Sequence, residues 1–189
     1  MKKLRELIRN ECDFPLSDEV LDRFIGPMDR REVRRGKAVV ETGDVNPDIY
    51  VVREGVFSAD YFDGINERCW AFALPGTLMY SGHSYYCGEP AFYRYVACCD
   101  SVVYHCTKRD LDALIASSHE FAQWMHRLAQ RQLYYYERIN MLNNGTAAER
   151  LVSFVRNHPD ILEMISNKAL ASYLGITQQY LSSLKRKLL

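Results

Sequence analysis

Residues 167–187 read NKALASYLGITQQYLSSLKRK. Their apolar side chains fall at Leu170, Ala171, Leu174, Ile176, Leu181 and Leu184, the three- and four-residue steps of a helix, broken once at Gly175 and then resumed. Two helices meeting at a tight turn give each position a reason. Ala171 is small where the second helix crosses the first, Gly175 permits the turn, and Ile176, Leu181 and Leu184 fill the gap between the helices. Thr177 offers a hydroxyl to cap the second helix, which the pattern carries from Thr177 to Leu188. The face left over holds Gln178, Gln179, Ser182, Ser183 and Arg186. Glutamine pairs bidentately with adenine, and serine bonds to several base edges. Lys185, Arg186 and Lys187, with Lys168 on the first helix, supply charge for phosphates. An αα-hairpin with a solvated polar face is the plainer alternative. The joint Ala-x-x-x-Gly-Ile pattern favours a DNA-binding helix-turn-helix.

Upstream, TAAERLVSFVRNHP (146–159) reads as a further helix, with Thr146 as its cap and Pro159 beyond its end. Asn143-Asn144-Gly145 reads as a helix stop before it. No proline or glycine interrupts Asp110 to Asn144, so that run is expected to be one long helix. Phe121, Trp124, Met125, Leu128, Tyr135, Ile139 and Leu142 form its apolar stripe. A helix of that length either packs on an equal partner, as in a homodimer, or lies across its own β domain; the first reading is preferred, because a small β domain cannot cover it.

Between Arg31 and Cys106 the texture is different. Glycines recur at 36, 43, 55, 64, 76, 82 and 88. Between them lie short β-forming segments: KAVVE, IYVVRE, VFSADYF, RCWAFAL, FYRYVACC and SVVYHC. Short strands at this spacing predict an antiparallel sandwich or barrel, and Asp63-Gly64 inside FDGIN is a hairpin turn. Before them, residues 1–30 read as short helices. The class is α+β. Residues 1–110 are expected to form an antiparallel β-roll domain, 111–143 the long dimerisation helix and 144–189 the helix-turn-helix domain.

The 189 residues carry 24 basic and 24 acidic side chains, so only the local charge near the C-terminus suggests nucleic acid. No long apolar run is present to cross a membrane, and the charged start, MKKLRELIRNECDF, lacks the core of a signal peptide; the expected location is cytoplasmic. Six cysteines without a Cys-x-x-Cys pair read as reduced thiols, and no grouping fits an iron–sulfur cluster. The scattered histidines single out no haem ligand, and the absence of His-x-His argues against a metalloenzyme on a cupin-like barrel, so no catalytic or metal site is assigned.

Glycine-punctuated strands, a long helix and a terminal helix-turn-helix together resemble the Crp/Fnr family of bacterial transcription regulators. RRGKAVVETGDVNPDIYVVREGVFSADYF (34–62) resembles that family's opening β-roll, and residues 148–188 resemble its DNA-binding module in a branch whose chains often end at the recognition helix. The resemblance implies a dimer on double-stranded DNA, with Gln178, Gln179 and Ser183 reading bases. The family most often has Arg-Glu and a later Arg there, so the operator should differ from the common palindrome. Tyr180 would touch a phosphate or a thymine methyl. RNA polymerase and a small-molecule effector are further partners the resemblance leaves open.

The family's cyclic AMP site needs a glutamate for the ribose and, about ten residues later, an arginine for the phosphate. In GTLMYSGHSYYCGEPAFYRYVACC (76–99) these positions fall at Ser81 and Ala91, so a cyclic nucleotide is not expected. Met79, Tyr80, Ser81, His83, Ala91 and Phe92 remain as a candidate apolar pocket, or as plain core. A competing functional reading is a small-molecule sensor or adaptor that works through protein contacts and keeps a vestigial DNA module.

Overall fold

The strand Ser101–Cys106 (β8) is buried at every residue, and alternate side chains serve two different cores. The computed structural model describes residues 2–142, 145–157 and 159–188, and the side chains of all of these but 139–142. Two helices, Lys2–Asn10 (α1) and Asp18–Ile25 (α2), come first. Then follow the strands Asp29–Val33 (β1), Ala38–Val40 (β2), Ile49–Glu54 (β3), Phe57–Phe62 (β4), Glu67–Ala73 (β5) and Leu78–Met79 (β6). A short helix Gly82–Cys87 (α3) precedes Arg94–Ala97 (β7) and β8. They form two four-stranded antiparallel sheets, in the orders β1-β8-β3-β6 and β2-β7-β4-β5.

The layers follow from the apolar alternation. Between the sheets lie Tyr50, Val52, Phe57, Met79, Ala97 and Val103. The first sheet turns its other face, with Ile49, Val51, Val102, Tyr104 and Cys106, toward α1 and α2. That double burial is why IYVVRE and SVVYHC read as unbroken apolar runs. The C-terminal helices cover the second sheet's outer face through Val56, Phe72 and Leu74.

All six expected strands are present. β1, β6 and α3 were not expected. β1 is DRREV, a charged edge strand exposed at four of its five residues, so it carries no apolar alternation to detect.

The expected single helix from Asp110 is two helices, Lys108–Ser117 (α4) and His119–Leu142 (α5). Ser118 leaves the helical region at φ −134° and ψ 107°, and its hydroxyl accepts from the Phe121 amide at 3.2 Å, so it caps α5. Serine breaks the helix here by capping, with no proline or glycine needed.

The first half of the α5 stripe also differs from its expected role. Phe121, Trp124 and Leu128 are buried within their own chain, and Met125 packs beside them. Phe24 of α2 lies 4.8 Å from Phe121 and 6.2 Å from Trp124, ring centre to ring centre. Short helices α1 and α2 supply the cover that the β domain lacks, so these four are not free for a partner. Beyond Arg131, which donates to the Asn10 carbonyl at 2.8 Å, α5 leaves that cover. Leu133 and Tyr134 are 65% and 61% exposed, and Tyr135 is 46% exposed. The side chains of Ile139 and Leu142, and the stop at Asn143-Asn144, lie outside the described residues.

The FDGIN hairpin turns as expected, with Gly64 at φ +95°. The Asp63 carboxylate accepts from the Ile65 and Asn66 amides at 2.9 and 2.7 Å and from Arg68 Nε at 2.6 Å. The Asn66 amide is the largest cause, Arg68 next, and together they hold the Asp63 carboxyl down to about 2. A carboxyl lower in the folded chain than in the unfolded one stabilises above the unfolded value of about 3.9 and loses that contribution as the pH falls towards 2. NMR titration of Asp63 should give a midpoint near 2; a midpoint near that of a free aspartate would contradict these bonds.

Candidate nucleic-acid interface

The terminal module is built on Ala147–Asn157 (α6), a 3-10 turn Pro159–Glu163, Asn167–Tyr173 (α7) and Gln178–Leu188 (α8). The expected caps Thr146 and Thr177 are in place, and Ser166 adds one that was not expected. Thr146 and Glu149 bond reciprocally, the Thr146 amide to the carboxylate at 2.7 Å and the Glu149 amide to the hydroxyl at 3.3 Å, which holds the Glu149 carboxyl below its usual range. Ser166 caps α7 through the Ala169 amide, and Thr177 caps α8 through the Tyr180 amide at 3.2 Å.

The turn between α7 and α8 rests on Gly175, at φ +66°, a conformation costly for residues with a Cβ. It lets the Ile176 amide reach back to the Ala171 carbonyl at 2.9 Å. Leu170, Ala171, Leu174, Leu181 and Leu184 are then buried together against Leu151 and Phe154, with Ile176 packed at their edge. Arg150, which the sequence reading passed over, locks this turn. Its guanidinium donates to the Gly145 carbonyl at 2.7 Å and to the Leu174 carbonyl at 2.8 Å. An arginine one residue before the buried Leu151 was the only available signal, and it looked like a surface charge.

With Leu181 and Leu184 inward, Gln179, Ser182, Ser183 and Arg186 share the opposite stripe at i, i+3, i+4 and i+7. Thr177, Gln178, Gln179, Tyr180, Ser182, Arg186 and Lys187 are exposed, and Ser183 is half-buried. The Ser182 hydroxyl donates to the Gln178 carbonyl, leaving its lone pairs outward. Lys168 is exposed, but it lines a cleft against the β-roll beside Asp60 and Glu67. Lys185, expected to supply charge for phosphates, is half-buried. Its ammonium donates to Asn167 Oδ1 at 2.7 Å, clamping α8 to α7, and burial lowers its pKa.

α7 is itself anchored. Its Ser172 hydroxyl accepts from the Cys69 amide of β5 at 2.9 Å. Phe72 of β5, Phe154 of α6 and Tyr173 of α7 meet with ring centres 5.3–5.8 Å apart. Burial and then the neighbouring Tyr135 of α5 push the Tyr173 hydroxyl up, so one tyrosine of the expected dimer stripe meets the terminal module of its own chain.

No protein-family model matches the chain, and no curated protein is similar to it in sequence. Solved structures are similar. FixK2 from Bradyrhizobium japonicum shares 18% identity at a TM-score of 0.72, over 85% of this chain and 84% of that one. The c-di-GMP responsive global regulator CLP of Xanthomonas campestris shares 15% at 0.69, over 91% of each. The catabolite activator protein of Thermus thermophilus shares 22% at 0.57, over 92% and 84%. The chain has the Crp/Fnr-type fold. At these identities the likeness is one of fold.

In that fold, the six residues of the candidate roll pocket have separate places. Met79 and Ala91 are core, at 0% and 3% exposure. Ser81 is buried and caps α3 through the Ser84 amide. The Tyr80 carbonyl accepts from the Tyr93 hydroxyl, and His83 bonds the Pro90 carbonyl while stacking 4.0 Å from Phe92, itself exposed. Of the six residues, Met79 and Ala91 are core and Phe92 faces solvent. Arg94, the nearest arginine, pairs with Glu67. Trp70, Tyr93, Tyr95 and Tyr136 form a chain of ring contacts where α5 passes the roll. Among the described residues no group of three or more His, Cys, Asp or Glu could hold a metal ion, and no helix is long and apolar enough to cross a membrane.

Replacing Arg150 by Met should cost about 1–3 kcal/mol, because the Leu174 carbonyl at the turn and the Gly145 carbonyl before α6 lose their donor. Denaturant unfolding measures this; unchanged stability would mean that Arg150 does not hold the turn.

Proposed function

We propose that the protein is a dimeric DNA-binding transcription regulator that reads a two-fold operator with α8. The observation that carries this is the outward stripe Gln179, Ser182, Ser183 and Arg186 on a helix whose other face is locked into the module core. In the Crp/Fnr-type fold such a helix enters the major groove, and two of them lie ~34 Å apart on a two-fold site. Exposed Leu133 and Tyr134 on α5 offer an apolar surface for a second copy. Gln178, Gln179 and Ser183 are the base readers; Arg186 and Lys187 take phosphates, with Thr177 and Tyr180 flanking. Lys185 serves by positioning α8. The proposal assigns no cyclic nucleotide to the roll, since Ser81 and Ala91 offer neither the carboxylate nor the guanidinium that such a ligand needs.

Gln179→Ala should change the preferred base at one position by about 1–3 kcal/mol. Lys187→Ala should weaken binding on all sequences alike and reduce the salt slope by about one. Competition binding on operator variants at several salt concentrations checks both. Uniform loss from both substitutions would remove base reading from α8.

A further inference from the structure

A cavity of about 490 Å3 lies at the joint between the roll and the terminal module, away from both the roll interior and α8. The roll contributes Val56 from the β3–β4 connection and Leu74 with Pro75 after β5; the module contributes Ile161 and Met164. Its size is within the range of small-molecule sites, and its floor is apolar. Val56 and Ile161 are buried, whereas Met164 is 41% exposed.

One polar group in this lining is unspent. The Nε of Arg53 is buried and has no hydrogen-bond partner among the described residues. Nε itself is sealed from the cavity, so a ligand there meets the outer guanidinium nitrogens of a side chain that is 25% exposed. The outer guanidinium nitrogen Nη1 meets Glu54 at 3.4 Å, longer than the roughly 2.7–2.9 Å of a strong charge-assisted bond. The guanidinium therefore keeps most of its capacity for a second carboxylate. Lys3 and Asp160, also at the cavity, offset one another in charge.

We propose that this cavity binds a small amphipathic monocarboxylate, its carboxylate on Arg53 and its apolar body between Leu74, Ile161 and Met164. Such a ligand touches the roll and the terminal module at once, so its binding ties the two together. This holds for the free protein and does not depend on DNA reading, so its test is separate from that of α8.

The test is calorimetric titration of the full chain with octanoate, with octanol as the uncharged counterpart and acetate as the headgroup without a body. Octanoate should bind saturably at one site, with octanol and acetate at least about tenfold weaker, since the headgroup bond and the apolar body each contribute. Arg53→Met should lower octanoate affinity by roughly tenfold and leave octanol unchanged. Met164→Trp, which fills the cavity from its exposed side, should weaken both. Circular dichroism and melting of each variant identify any that misfolds, and the remaining one then decides. Absence of saturable octanoate binding, equal affinities for octanoate and octanol, or octanoate binding unaffected in a folded Arg53→Met would overturn the proposal.

Discussion

Phe72, Phe154 and Tyr173 come from a strand of the roll, the first helix of the terminal module and the first helix of its helix pair. Each ring is packed on the other two, so none can shift without opening a gap in a close-packed core. This triangle, with the bond from the Cys69 amide to Ser172, fixes α7 against β5. Once α7 is fixed, the Gly175 turn, Arg150 and the Lys185–Asn167 clamp leave α8 one orientation, with Leu181 and Leu184 inward and its glutamines outward. The exposed stripe is a consequence of what is buried behind it.

How much of this could be read from the sequence depends on whether a residue's role repeats. Leu181 and Leu184 recur at helical spacing and Ile49 to Val52 form a short β-forming run between glycines, so cores and elements were legible. Residues acting singly were not. Arg150 and Lys185 look like surface charges until the carbonyls and the amide they meet are in place. Ser118 looked compatible with a continuous helix, yet its hydroxyl caps a new one. The stripe of α5 was legible as apolar but not as to its partner. Phe121 and Trp124 face α2, whereas Tyr135 of the same stripe lies beside Tyr173 of the terminal module, and sequence periodicity is the same for both. In the roll, Met79 and Ser81 suggested a pocket by composition, whereas packing makes one a core residue and the other a cap.

The joint between roll and module has two characters. On one side it is closed by the aromatic triangle; on the other, the β3–β4 connection and the 3-10 turn leave space beside Arg53. A joint firmly packed on one side and open on the other can respond to what fills the open side, because a ligand acts only through its difference in affinity between arrangements.

The most direct test of the account is selection of bound sequences from a random duplex library at moderate salt, with no added ligand and again with cyclic AMP. The account predicts enrichment of a two-fold motif whose half-sites lie about one helical turn of DNA apart, the same in both conditions. No enrichment in either condition, or a motif that depends on cyclic AMP, would contradict it.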